Sequence, residues 1–147
     1  MIYIGIDPGA KGALACIWPF GAVDLVSFDR ERYLEVLRDL CVEREIRCCL
    51  ERVGAMPGQG VTSMFHFGEN FGYIQGLLEA FGISYELVTP QRWKKEFGVT
   101  GDKNSSIAVC KRLFPGVDLR RTPTCRTDHD GMAEALLMAE YARRRMK

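Results

Sequence analysis

The chain of 147 residues is 47% hydrophobic and 27% charged, which predicts one globular, water-soluble domain over residues 1–147. Its net charge of +1 hides an asymmetry, because residues 1–90 carry seven basic and twelve acidic side chains whereas residues 91–126 carry nine and three. No apolar stretch approaches the roughly 20 residues of a membrane-spanning helix and no signal-peptide pattern opens the chain, so we expect a cytoplasmic protein that does not contact a membrane.

Three short strands are predicted at the start of the chain, over about residues 1–7, 12–18 and 22–28. Apolar, often branched residues suit a buried sheet, and Pro8-Gly9 and Pro19-Phe20-Gly21 mark the turns between them. Because connections this short join neighbouring strands of opposite direction, these three strands should form an antiparallel meander.

The following elements extend this meander into a mixed sheet. Residues 31–45 have helical periodicity, and the strand predicted from Ile46 to Val53 should therefore lie parallel to the first strand after a helical crossover. The later elements are a long helix over about 62–81, a strand over about 83–88, two short basic helices after Thr89-Pro90, and an apolar-striped helix over about 128–145. We predict an α/β fold with a five-stranded mixed sheet flanked by helices.

Acidic side chains are predicted at the ends of two neighbouring strands. Asp7 closes the first strand on the same face as Gly5, and Glu51 lies on the fourth strand on the same face as Cys49. If these strands are parallel neighbours, both carboxylates lie at carboxyl ends, the usual position for ligands in such sheets. A surface salt bridge of Glu51 with a neighbouring arginine is the alternative.

The final predicted helix supplies further acids near its start. Asp130 and Glu134 are four residues apart and so project from one helical face. Glu134 interrupts an otherwise apolar run, which favours a functional role for its carboxylate. Asp128 is expected as a helix cap, and Thr127-x-x-Asp130 has the pattern of a capping box, so a structural role for Asp130 remains the alternative.

The chemistry of this acidic cluster indicates a metal. Four carboxylates that converge without a compensating lysine repel one another, and hard divalent cations relieve that repulsion. Ligation by oxygen alone favours Mg²⁺ or Mn²⁺, whereas two histidines and no Cys-x-x-Cys pair argue against zinc. Two ions about 4 Å apart would activate a water and stabilise the leaving oxygen, which predicts phosphodiester hydrolysis.

Three motifs in this order resemble those of RuvC-type Holliday junction resolvases, in the ribonuclease H-like superfamily. They are Gly-Ile-Asp-Pro-Gly at Asp7, Leu-Glu-Arg-Val at Glu51 and Asp-Gly-Met-Ala-Glu-Ala-Leu-Leu from Asp130. The compact chain, with Val-Thr-Pro-Gln-Arg-Trp-Lys-Lys before Glu96 and Gly-Asp-Lys ending at Lys103, resembles the phage and prophage branch. The resemblance spans nearly the whole chain and implies a ribonuclease H-like fold.

The resemblance also implies a catalytic role and an assembly. It implies that the metal-binding catalytic acids are Asp7, Glu51, Asp130 and Glu134. It implies a homodimer whose two active sites cut a four-way DNA junction by paired nicks. The chain departs from the family in having Glu134 where Asp is usual and in a spacing of four residues rather than the three of the bacterial housekeeping form. These departures leave open whether Asp128 or His129 joins the site.

DNA binding is expected to use basic residues of the 91–126 stretch, whose phosphate contacts do not depend on base sequence: Lys94, Lys95, Lys103, Lys111 and Arg112. Phe65 follows a glycine-rich loop, residues 54–61, and is predicted either to stack on bases at the crossover or to pack in the core. Trp93 is expected in the core, with base stacking as the alternative.

Gly68, Gly72 and Gly76 repeat every four residues along the long predicted helix, and we call them the glycine stripe. Each glycine destabilises a helix by about 1 kcal/mol relative to alanine, so the stripe requires an explanation. Close approach of the same helix in a second subunit and close packing on the chain's own sheet both fit the spacing.

Other functions fit parts of the same pattern. A nuclease of this fold could instead cut replication forks, flaps or RNA–DNA hybrids, and a silent module could bind branched DNA without cutting it. An actin-like kinase or ATPase has a similar strand-Asp-Gly turn, here followed by Lys11-Gly12, but such proteins need two lobes.

Overall fold

The computed structural model describes residues 1–43 and 45–147, which form a sheet with helices packed on both faces. The strands are β1 (Ile2–Ile6), β2 (Ala13–Ile17), β3 (Val23–Ser27), β4 (Ile46–Glu51) and β5 (Tyr85–Val88). The helices are α1 (Arg30–Leu40), α2 (Val61–Ala80), α3 (Pro90–Phe97), α4 (Lys103–Leu113) and α5 (Asp130–Arg145). No helix in these two ranges has the length and apolar character needed to cross a lipid bilayer.

The sheet has the predicted mixed topology, with strand order β3-β2-β1-β4-β5. β1, β2 and β3 pair antiparallel, whereas β4 pairs parallel with both β1 and β5. Ile6 pairs with Leu50 at the last rung of the β1–β4 ladder. The residues after that rung, Asp7 and Glu51, therefore lie side by side at the carboxyl ends of two central strands.

Two helix boundaries differ from the prediction. α1 begins after Asp29, whose side chain accepts a hydrogen bond from the Arg32 backbone N–H at 2.9 Å, and it ends at Leu40 rather than at residue 45. Residues 41–43 form a turn in which the Cys41 N–H donates to the Leu37 carbonyl, and Arg44 lies outside the described residues. α5 begins at Asp130 rather than at residue 128, because its cap is His129.

The sheet separates two hydrophobic cores, as the alternation of its strands predicts. Ile4, Ile6 and Leu50 point toward a core shared with α1 and α2. Cys49 and Ala15 point toward the opposite core, to which α5 contributes more residues than any other element. Asp7 and Glu51 continue the alternation of this second face, so they project on the side of the sheet that α5 covers.

Close contact between α5 and β1 depends on a glycine. A Cβ atom built on Gly5 would stand 2.1 Å from the Ala135 carbonyl oxygen and 2.2 Å from the Ala139 nitrogen. Only a residue without a side chain therefore lets the backbones approach this closely. This packing brings the first turns of α5 to the end of β1 that carries Asp7.

Candidate active site

Asp7 lies on the turn that follows β1. Its Oδ1 accepts a hydrogen bond from the Gly9 backbone N–H at 3.1 Å, and its own N–H donates to the Ala13 carbonyl at 3.0 Å. Burial raises the pKa of the Asp7 carboxyl, and the negative charge of Asp130 raises it further, against the lowering effect of the Gly9 hydrogen bond. The hydrogen bond from Gly9 thus orients the carboxylate, and burial leaves its charge poorly solvated.

Glu51 is the final residue of β4 and the neighbour of Asp7 in the sheet. Burial, the charge of Asp7 and the charge of Glu134 together raise the pKa of Glu51 to about 7. The indole Nε1–H of Trp93 donates to Glu51 Oε2 at 2.7 Å and opposes this rise. The surroundings of Glu51 therefore disfavour its ionised form, and the hydrogen bond from the neutral Trp93 indole favours it.

Asp130 and Glu134 reach the site from the first two turns of α5. A Cβ built on Gly131 would stand 2.4 Å from the Lys11 carbonyl oxygen, so the start of α5 lies directly against the β1–β2 turn. Asp130 is the first residue of the helix, and Glu134 follows one turn later. The charge of Asp7 raises the pKa of Glu51 and Glu134, and the charge of Asp130 raises that of Asp7 and Glu134, which places the four acids in one electrostatic cluster.

Cationic and hydroxyl groups from α3 and α4 contact the acids of α5. Ser106 Oγ donates to Glu134 Oε1 at 3.2 Å, and Lys94 Nζ lies 3.8 Å from the same oxygen. Burial raises the pKa of Glu134, and Lys94 opposes that rise. Lys103 Nζ lies 3.9 Å from Asp130 Oδ2. The basic stretch therefore meets the acidic cluster directly.

The acids are near one another but are held separately. Among the described residues, no group of three or more His, Cys, Asp or Glu side chains has a geometry that could hold a metal ion. Each of three carboxylates instead has its own protein partner: Trp93 for Glu51, Lys94 and Ser106 for Glu134, and Lys103 for Asp130. The donor set, all carboxylate oxygen, is still the one that hard divalent cations take.

The segment before α5 is arranged differently from the expected capping box. His129 is the cap, because its Nδ1 accepts a hydrogen bond from the Gly131 N–H at 3.1 Å, which places the ring proton of the neutral imidazole on Nε2. Asp128 forms an ion pair with Lys111 and a β-bridge with Arg120, so its expected role as the cap is wrong. An imidazole replaces the carboxylate because α5 begins two residues later than predicted.

The predicted DNA-contacting residues lie on two helices beside the acids. Lys94 and Lys95 belong to α3, and the others, Lys103, Lys111 and Arg112, belong to α4. Lys95, Lys103, Lys111 and Arg112 are exposed, whereas Lys94 lies half-buried over the Trp93 ring at 5.5 Å. Most of these side chains are therefore accessible to a polyanion that approaches the cluster.

The segment around Phe65 has an exposed apolar surface. Phe65 is 66% exposed near the start of α2, which argues against the core alternative, and Met56 and Val61 close to it are exposed as well. Residues 54–60 are all exposed, and none of them belongs to either hydrophobic core. They form most of the connection between β4 and α2. Large apolar side chains held in solvent within one segment of the chain favour a binding surface there.

The glycine stripe is open within the chain. Gly68, Gly72 and Gly76 are exposed, and no heavy atom of residues 1–43 and 45–147 stands within 4 Å of a Cβ built on any of them. Close packing on the chain's own sheet is therefore wrong as an explanation of the stripe. The opposite side of α2 provides the core residues Ile74 and Leu78, with Phe71 partly buried beside them.

Two residues that contact the acids were not identified from the sequence. Trp93 was expected in the core, and it is there, but nothing in its spacing predicted the hydrogen bond to Glu51. The available signal was that a buried indole N–H needs an acceptor and that Lys94, next to it in the sequence, was expected to bind DNA. Ser106 has no comparable signal, since serine is common on helix surfaces.

The fold is similar to that of two solved structures of RuvC from Thermus thermophilus. One is RuvC in complex with Holliday junction substrate, at 14% identity and a TM-score of 0.65, covering 98% of this chain and 95% of that chain. The other is RuvC alone, at 19% identity and a TM-score of 0.60, covering 98% and 96%. No protein-family model matches the chain, and no curated protein matches it. The likeness establishes a RuvC-like, ribonuclease H-like fold.

Proposed function

We propose that this chain is a metal-dependent endonuclease, a single domain over residues 1–147, that cuts Holliday junctions and related branched DNA. The observation that carries the proposal is the meeting of Asp7, Glu51 and Glu134 at the carboxyl ends of β1 and β4, where burial raises the pKa of all three. Three neighbouring carboxyls with disfavoured charges are expected where a cation binds. The RuvC-like fold supports the same function.

The four acids have one role in this proposal, which is to hold divalent metal. Asp7, Glu51, Asp130 and Glu134 would bind Mg²⁺ or Mn²⁺, with two ions in each site. Such ions, when bound, activate water and stabilise the leaving oxygen of a phosphodiester. Glu134 lies one turn further along α5 than Asp130, and its side chain, longer than that of Asp, would let its carboxylate reach the same metal site. His129 contributes by capping that helix and so fixing Asp130.

Basic residues on α3 and α4 would hold the DNA against the acids. Lys95, Lys103, Lys111 and Arg112 are exposed and would neutralise phosphates, which gives affinity without sequence specificity. Phe65 would stack on bases that are unpaired or strained at the crossover, because an exposed aromatic ring has little other stabilisation there. Recognition of a branch would then come from Phe65 and cleavage from the acids.

A homodimer completes the proposal, since two sites are needed for paired nicks. The open glycine stripe on α2 supports an interface there, because a helix without side chains on one side allows a second backbone to approach. The motifs and compact chain further support a phage or prophage origin and a cytoplasmic location.

The test is cleavage of a synthetic four-way junction beside fork, flap, linear duplex and RNA–DNA hybrid substrates. We expect Mg²⁺-dependent nicking that favours the junction. Asp7→Asn should bind the junction but lower cleavage by a factor of at least about 100, because it removes a charged ligand from the cluster. Asp39→Asn, which changes an exposed acid on α1, is the matched control and should cut normally. Equal cutting of junction and duplex would refute branch selectivity, and full activity of Asp7→Asn would refute the site.

A further inference from the structure

A buried tryptophan connects α3 to the acid at the end of β4. Trp93 has no exposed surface, and its Nε1–H donates to Glu51 Oε2 at 2.7 Å across 42 residues of sequence. A buried indole needs an acceptor, and its acceptor here is a candidate metal ligand rather than a backbone carbonyl. The other oxygen of that carboxylate, Oε1, has no hydrogen-bond donor within residues 1–43 and 45–147.

The ring of Trp93 is held rigidly. It belongs to the core that α5 dominates, together with Val88, Phe97 and Cys49. A ring packed on all sides cannot turn without opening that core, so the direction of its N–H is fixed by the fold. The hydrogen bond therefore transmits the position of α3 to the carboxylate of Glu51.

The indole differs from the lysine that contacts the neighbouring acid. Lys94 carries a charge and lies 3.8 Å from Glu134, so it competes with a metal cation for that carboxylate. Trp93 is neutral and donates a single hydrogen bond, so it orients Glu51 without cancelling its charge.

We infer that Trp93 is a positioning residue of the metal site: its indole N–H holds one oxygen of Glu51 and leaves the other to face the metal. This inference rests on the proposed function, because it takes Glu51 to be a metal ligand. It adds a specific residue that acts through Glu51 and has no contact with the reacting phosphate. Groups that orient metal ligands in this way typically change metal affinity by 10- to 100-fold.

The chain offers a matched pair of variants. Trp93→Phe removes the N–H and keeps most of the ring, whereas Trp18→Phe removes a comparable bond of 2.6 Å to the exposed Asp24 on β3. We expect calorimetric titration with Mn²⁺ to show a dissociation constant at least about tenfold higher in Trp93→Phe and unchanged in Trp18→Phe. An unchanged constant in Trp93→Phe would overturn the inference.

A second readout does not require Trp93 to be replaced. Trp18→Phe leaves Trp93 as the only tryptophan, so its indole N–H gives a single side-chain resonance in a nitrogen–proton spectrum. Titration with Mg²⁺ should move that resonance with the midpoint that a calorimetric titration of the same variant with Mg²⁺ gives, since the oxygen that accepts the indole hydrogen bond belongs to a metal ligand. A stationary resonance in protein that binds Mg²⁺ would overturn the inference while the proposed function stands. Absence of any metal binding would instead refute the proposed function, and the inference with it.

Discussion

At the scale of single residues, the fold clearly disfavours the ionised form of the Glu51 carboxyl. Burial and the charge of Asp7 raise its pKa to about 7 from an ordinary value of 4.5. The native protein therefore keeps this proton to a higher pH than the unfolded chain does. Because the native state binds more protons between these two pH values, the free energy of unfolding must fall as the pH rises through that window.

We accordingly predict that the metal-free protein is less stable at pH 8 than at pH 5. Its melting temperature in a chelating buffer should fall mainly between about pH 5 and pH 7, and Mg²⁺ at pH 8 should restore it, because a bound cation replaces the lost proton. Glu51→Gln removes the titrating group and keeps an acceptor for Trp93. A melting curve whose pH dependence is the same in Glu51→Gln would contradict the prediction.

Residue types explain why only part of the site could be predicted from the sequence. Asp7 and Glu51 were found because strand periodicity fixes both the face and the end of a strand. The contact of Glu51 with Trp93, and those of Glu134 with Lys94 and Ser106, depend on how α3 and α4 pack against the sheet, which no periodicity encodes. The role of Asp128 as the cap was misjudged because a shift of about two residues in a helix start changes which side chain is the cap.

At the scale of elements, the contact of α5 with β1 positions half of the acidic cluster. Gly5→Ala should weaken it, because a methyl group at this position meets backbone atoms of Ala135 and Ala139 that cannot move separately from the helix. We expect the free energy of unfolding to fall by about 3 kcal/mol, at the upper end of overpacking effects, in a denaturant titration.

Gly101→Ala is the control for this experiment. Gly101 lies in the turn before α4, and no heavy atom stands within 4 Å of a Cβ built on it. It should therefore change stability by less than about 0.5 kcal/mol, as surface substitutions usually do. If Gly5→Ala is as stable as Gly101→Ala, the close packing of α5 on β1 is not required for the fold.

Most elements were predictable from periodicity because their apolar residues alternate or recur as expected. β1, β4 and α2 lie within a few residues of their predicted bounds. The early end of α1 at Leu40 was not predictable, because residues 41–43 carry no glycine or proline that would mark a stop. The exposure of the glycine stripe was also open, since four-residue spacing defines a helix face without saying what covers it.

At the scale of the whole molecule, the open glycine stripe leads to a prediction about assembly. We expect light scattering to show a dimer at micromolar concentration. Gly72→Leu should convert it to a monomer, because it places a large side chain where a second helix would approach. The change should not unfold the monomer, since no heavy atom in the part of the chain that the structure describes stands within 4 Å of a Cβ built on Gly72.

The assembly experiment has its own control in Glu35→Leu, which places the same side chain on an exposed position of α1. A dimer should persist in that variant. A dimer that also persists in Gly72→Leu would move the interface away from α2, and a monomeric wild type would remove the paired-nick mechanism while leaving single cuts possible.

The contact between Gly5 and Ala135 also has a consequence for how the protein folds. It joins positions that are 130 residues apart along the chain. The strands that pair with β1, which are β2 and β4, are much closer to it in the sequence than α5 is. Closing so long a loop is slow compared with forming local turns and hairpins. Under the proposed function, metal affinity should therefore be among the last properties to return in a refolding reaction, because Asp130 and Glu134 reach the site only when α5 has docked on β1.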